Sequence, residues 1–271
     1  DYTLRVWDLA DGREQLQLTL PSQKGTRTFC SSPHLTKRGV ISAACEDRVI
    51  RRWDLTGKPL PGIPTSVYLR IAALAPDDSL LAAGHMKGML GLFDIDGGTR
   101  VVEKTLHDHQ IYGVAWGPGG VLATASLDNT IKIWSSRLEL LHRFRIDGDD
   151  GALRATLSSD GKTLLGGAQD GTLYAWDVET EKLLGKHKAH AGPIWGLVYA
   201  RDQQLAYTAG EDGSLLIWDA NAWKVVGKLE ANEGVGGPLA ISPDGKTAVT
   251  GYRNGAMIVW DLPTRSIRYR L

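Results

Sequence analysis

Two sets of side chains have the composition of a nucleophilic site. His109, Thr124, Asp128 and Trp134 form one, and His190, Thr208, Asp212 and Trp218 the other, with Thr, Asp and Trp at identical spacing. A hydroxyl, an imidazole and a carboxylate make an activated nucleophile only in an open cleft. Buried together, the same groups make a hydrogen-bonded strut. His107-Asp108-His109, and His187 with His190, have ligand-type side chains, but neither group shows the Cys/His spacing of a zinc module. One histidine of each is already assigned, so no metal and no cofactor is expected. Cys30 and Cys45 are the only two cysteines. Two cysteines exclude a disulfide framework, no catalytic base accompanies them, and buried free thiols are expected. No G-x-x-x-x-G-K-[ST] loop or H-E-x-x-H pair occurs, and no G-x-S-x-G elbow. No catalytic residue is assigned, and the chain reads as non-enzymatic.

The elements that must hold these residues come from an internal repeat. An aromatic followed by a small polar residue recurs as Trp7-Asp8, Trp53-Asp54, Phe93-Asp94, Trp134-Ser135, Trp176-Asp177, Trp218-Asp219 and Trp260-Asp261. The intervals are 46, 40, 41, 42, 42 and 42 residues. Six residues before each aromatic stands Asp1, Asp47, Lys87, Asp128, Asp170, Asp212 or Asn254. A third mark is a turn cluster such as Ser159-Asp160-Gly161-Lys162 or Ser242-Pro243-Asp244-Gly245-Lys246. Each period reads as four short strands. In residues 111–145 these are Ile111–Trp116, Val121–Ala125, Thr130–Trp134 and Leu138–Phe144, separated by the Gly, Pro, Asn and Asp that tight reversals require. Glycine, 32 of 271 residues, is enriched to match. No stretch keeps a helical period.

The period and the terminal Trp-Asp resemble the WD40 repeat family, over essentially the whole chain. The resemblance implies an all-β, WD40-type β-propeller of four-stranded blades around a central channel. Residues 1–271 are then one propeller domain whose repeats end near residues 8, 54, 94, 135, 177, 219 and 261. Seven third strands are present, but the first lacks its two inner partners, so seven blades are expected, six complete and one as its outer half. We expect the chain to be a fragment of a longer one, or a partner's strands or a rearranged closure to fill the gap. In this family the His–Thr–Asp–Trp sets resemble a buried chain of hydrogen bonds running from Asp to His to hydroxyl to indole. Repeats that depart from it, with Lys87 and Phe93, with Gly166, or with Asn254, are expected to be less rigid.

Charge and composition narrow the partner. Lys+Arg and Asp+Glu are equal at 31 each, which argues against a nucleic-acid binder, since these usually carry a basic excess. No apolar run approaches the ~20 residues of a membrane helix, and a cytoplasmic protein without membrane contact is expected. Function in a propeller lies on its loops and faces, because packing consumes the strands. Aligning the repeats puts Arg27, Arg70, Tyr112, Leu153, Trp195 and Gly237 at the channel mouth. Beside them stand Glu46, Met86, Leu127, Gln169, Glu211 and Arg253. In the WD40 family this face resembles a peptide-docking surface, and Tyr, Trp and Arg are typical of binding hot spots. The expected function is a scaffold or sensor that docks a protein or peptide. Alternatives are the regulatory propeller of a larger signalling ATPase or kinase, attached in the full-length chain, and a ligand-binding or enzymatic propeller using the channel. Trp223 stands where other repeats have a small or charged residue, as a rim-packing group or a side contact.

Overall fold

A computed structural model describes residues 3–20, 22–23, 26–27, 30–148, 151–200 and 204–271, with 22–23 and 26–27 described for their backbone alone. Asp1, the first turn marker, lies outside the described residues. The chain forms two compact units, Asp1–Trp116 and Gly117–Leu271. The first holds β1 (Thr3–Trp7) and β2 (Glu14–Thr19), the short pair β3 (Ser22–Gln23) and β4 (Thr26–Arg27), and β5 (Cys30–Leu35), β6 (Ile41–Cys45), β7 (Val49–Trp53) and β8 (Pro59–Pro64). It continues through β9 (Leu69–Leu74), β10 (Leu81–His85), β11 (Met89–Asp94), β12 (Thr99–Thr105) and β13 (Ile111–Trp116). The second holds β14 (Leu122–Ser126), β15 (Thr130–Trp134), β16 (Leu140–Arg145), β17 (Ala152–Leu157), β18 (Thr163–Ala168), β19 (Thr172–Asp177) and β20 (Leu183–Lys188). It ends with β21 (Ile194–Tyr199), β22 (Leu205–Gly210), β23 (Ser214–Asp219), β24 (Lys224–Glu230), β25 (Gly236–Ile241), β26 (Thr247–Tyr252), β27 (Met257–Asp261) and β28 (Ser266–Arg270). The strands group into six four-stranded blades of a β-propeller. β1 pairs with β2, and β3 with β4, in two-stranded sheets, and among the described residues the expected seventh blade is not confirmed. Among the described residues no helix is long and apolar enough to cross a membrane.

The repeat marks are turn chemistry. The carboxylate or amide six residues before the aromatic closes the hairpin between second and third strands by accepting an amide two residues on: Thr130 to Asp128 at 2.9 Å, Thr172 to Asp170 at 2.8 Å, Ser214 to Asp212 at 3.0 Å and Ala256 to Asn254 at 2.9 Å. This is the local competition of short Asx side chains for backbone donors that makes turns. The following residue is left-handed, with Gly171 at φ +90 and Gly213 at φ +82. A Cβ on Gly213 would stand 2.3 Å from the Gly234 carbonyl oxygen, so both the dihedral and the close approach require glycine. The Asp after the aromatic caps the next reversal: it accepts Thr56 N–H at Asp54, Thr180 N–H at Asp177 and Thr264 N–H at Asp261, at 2.8–3.0 Å. In the Ser-x-Asp-Gly-Lys turns, Asp160 and Asp244 each accept a serine hydroxyl and a lysine amide.

The core lies between blades. Second and third strands are buried on both faces, as in β14, β15 and β6. This is why they read as apolar runs and not as alternation. In the second unit Ile131, Ile133 and Phe144 pack with Ala155, Leu164, Tyr174 and Trp176. Tyr207, Leu215 and Ile217 pack with Ala248, Ile258 and Trp260. In the first unit Ile50 and Ile63 pack with Leu69, Leu81 and Phe93. Arg52, only 6% exposed, is tied by its guanidinium to the Pro61, Ile95 and Asp96 carbonyls, so its charge is buried with hydrogen bonds. Trp223 is a packing residue, 9% exposed in the cluster with Leu216 and Trp218. Gly185 makes room for it, since a Cβ there would meet its ring at 3.3 Å.

The cysteines differ from the expectation of free thiols. Cys30 and Cys45 are direct cross-strand partners in β5 and β6 and form a disulfide. The pairing depends on a register shift between Ser31 and His34, which their 15-residue separation does not disclose.

Candidate partner-binding site

The His190 set is a strut. Trp218 Nε1–H donates to Thr208 Oγ1 at 3.0 Å, and Thr208 Oγ1 lies 2.8 Å from His190 Nε2. His190 Nδ1 lies 3.0 Å from Asp212 Oδ1. The carboxylate only accepts, so Nδ1 carries the proton and Nε2 accepts from Thr208. Burial works to raise the Asp212 carboxyl. Hydrogen bonds from the Ser214 hydroxyl and amide and the Ala191 amide, and the His190 imidazole, overcome it and hold the group at about 2. Burial lowers His190 below its ordinary range, and Asp212 opposes this in part. Thr208 is fully buried, at 0% exposure, so its hydroxyl meets no substrate.

The indole–hydroxyl bond recurs from Trp134 to Thr124 and from Trp260 to Thr250, both at 2.8 Å. Asp128 accepts the Thr130 hydroxyl and amide. His109 is a correction. It is exposed, with its Nδ1 accepting the Gln110 amide at 2.9 Å, whereas His107 is 2% exposed. The spacing held the signal: His190 precedes its Thr by 18 residues, His107 by 17 and His109 by 15. Where Gly166 replaces the hydroxyl, the space is filled, because a Cβ there would meet Trp176 at 2.9 Å.

The channel-mouth positions resolve into two patches, one in each unit. In the first, the Arg70 guanidinium lies 4.5 Å over the Tyr112 ring, a cation–π contact. The Ser31 hydroxyl donates to the Arg70 carbonyl at 3.0 Å. Glu46 and Met86 are exposed, and Tyr68 O–H donates to Glu46 at 3.4 Å. Burial, then the Glu46 charge, raises the Tyr68 hydroxyl. The Arg27 side chain lies outside the described residues.

In the second unit Trp195, Glu211, Gly237 and Arg253 line one cavity of about 350 Å³ with Arg154, Val235, Gly236, Pro238 and Tyr252. Leu153 does not line it. It is 1% exposed and packs inward, as an aliphatic side chain gains from burial. The next residue, Arg154, supplies the polar group. Its Nε donates to the Trp195 carbonyl and its Nη1 to the Leu153 carbonyl, both at 2.8 Å, and its guanidinium lies 5.8 Å over the Trp195 ring. Repeat alignment missed Arg154, although an arginine directly after the mouth position was a visible signal. Among the described residues no group of three or more His, Cys, Asp and Glu side chains is placed to hold a metal ion.

The family model described as WD domain, G-beta repeat matches residues 100–135 and 181–219. The chain is 29% identical over 201 residues to Autophagy-related protein 16 of Arabidopsis thaliana, covering 70% of this chain and 38% of that protein. It is 25% identical over 171 residues to WD repeat-containing protein VIP3 of Arabidopsis thaliana, covering 57% and 53%. It is 26% identical over 159 residues to small ribosomal subunit protein RACK1y of Oryza sativa subsp. japonica, covering 54% and 46%. The chain thus spans between 38% and 53% of the length of these relatives. The match to residues 100–135 and 181–219, the four-stranded blades and the Trp–Thr–His–Asp strut identify WD40 repeats in this chain.

Proposed function

We propose that this propeller is a non-catalytic interaction module that docks a protein or peptide partner, with the cavity around Trp195 as its principal site. One observation carries the reading. Four positions chosen by repeat alignment, Trp195, Glu211, Gly237 and Arg253, line a single cavity of about 350 Å³. That volume suits one or two side chains of a partner, and its tryptophan and arginines are residue types that anchor interfaces. The absence of a catalytic role is supported by the His190 strut, whose hydroxyl and imidazole are spent on each other, on Trp218 and on Asp212. The Arg70–Tyr112 pair offers a second hot spot of the same chemistry.

Trp195→Ala is expected to weaken binding of a purified partner at least about tenfold, the usual cost of truncating a hot-spot aromatic, without lowering the thermal midpoint by more than a surface substitution does. Arg70→Glu tests the other patch separately. Isothermal titration with both variants decides the matter: unchanged affinity in both rejects these surfaces as the docking site.

A further inference from the structure

The cavity's charges indicate what it takes. Arg253 is exposed and makes no ion pair or side-chain hydrogen bond among the described residues. Its neighbours on the same blade behave otherwise: Arg268 pairs with Asp261 and Arg270 with Glu233. The backbone holds Arg253 at the rim, its amide donating to the Val235 carbonyl at 3.0 Å. Arg154 brings a second guanidinium, fixed by two carbonyls and the Trp195 ring. Glu211 is the one carboxylate lining the cavity, pinned through its amide to the Pro193 carbonyl at 2.9 Å. Two cations face one anion, so a ligand carboxylate is favoured and a second cation is repelled.

The rest of the wall is apolar or bare backbone. Trp195, Val235 and Pro238 supply apolar surface, and Gly236 and Gly237 line it with bare backbone. Gly236 must stay glycine, since a Cβ there would stand 2.4 Å from the Gly210 carbonyl oxygen. The β25–β26 ladder skips from the Gly236–Tyr252 pair to the Leu239–Thr250 pair, a bulge that lifts this stretch out of regular pairing.

Resting on the docking reading above, we propose that the cavity recognises an acidic peptide segment: an Asp or Glu carboxylate set against the Arg253 and Arg154 guanidiniums, beside an apolar residue packed on Trp195 and Pro238. Guanidinium forks suit carboxylates in a planar, two-bond geometry, and the apolar neighbour supplies burial that an exposed ion pair lacks. Glu211, on the same rim, disfavours a second acid next to the first, so the motif carries one acidic residue and not a run.

The test is a random heptapeptide display library panned on the full chain, with selected peptides resynthesised and titrated against Trp195→Ala, Arg253→Glu and the unsubstituted protein. The expected peptides lose binding to Trp195→Ala, carry a single Asp or Glu beside an apolar residue, and bind Arg253→Glu at least about tenfold more weakly, with affinity falling as salt rises. Replacing the peptide acid by Lys is expected to restore binding to Arg253→Glu. Trp195-dependent peptides that are basic or uncharged, or that bind Arg253→Glu unchanged, overturn the acidic assignment and leave the docking site standing. A library yielding no Trp195-dependent peptide overturns both.

Discussion

At the residue scale, two recurring uses of polar side chains, the turn and the strut, meet in Asp212. It closes the β22–β23 hairpin through Ser214 and anchors the strut through His190. Its carboxylate is held at about 2 against an ordinary 3.8. The folded state therefore binds fewer protons than the unfolded state between those values, and acid favours unfolding. His190, His34 and His85 are all lowered from 6.5, with burial the largest cause in each. They too are neutral in the fold where the unfolded chain is protonated. Stability should therefore decline as pH falls through 6.5 and the unfolded chain's histidines protonate, and fall again from pH 3.8 toward about 2. Urea unfolding across this range checks the sign, and stability that rises on acidification below 6.5 would contradict it. The strut was legible as residue types around His190, but His109 was misassigned to the other set: it stands 15 residues before its Thr where His190 stands 18 before, and it is exposed.

At the element scale, the hairpins between second and third strands set the register of each blade. Gly213→Ala places a Cβ in left-handed backbone at φ +82 and against the Gly234 carbonyl. It should cost about 1–3 kcal/mol, measured as a shift in the urea midpoint with unchanged slope. A shift within ~0.5 kcal/mol, typical of an unconstrained surface site, would mean that the turn does not need its glycine. What the sequence hides at this scale gathers at bulges in the first strands. The register shifts between Ser31 and His34, between Ala152 and Arg154, and between Gly236 and Leu239. One of these sets Cys30 opposite Cys45, a second lies where Leu153 turns inward beside Arg154, and the third falls where Gly236, Gly237 and Pro238 line the cavity. A bulge adds a residue without changing the repeat period, so periodic reading passes over it. The regular parts were legible for the opposite reason. In residues 111–145 the expected strands fall within two residues of those observed, with Leu122–Ser126, Thr130–Trp134 and Leu140–Arg145 ending the series.

At the scale of the whole molecule, equal numbers of acidic and basic residues, 31 each, leave recognition to local charge. The cavity of the second unit has such local charge, with two guanidiniums against one carboxylate beside Trp195. On the proposed function a partner seats there and not on the outer strands, whose exposed Leu183, Leu184, Val225 and Val226 are the competing apolar surface. Hydrogen–deuterium exchange of the protein with and without its bound partner tests this most directly. Slowed exchange is expected in residues 194–196, 211–213, 235–238 and 252–254, with β20 and β24 unchanged. Protection confined to β20 and β24, with none around Trp195 and Arg253, would contradict it.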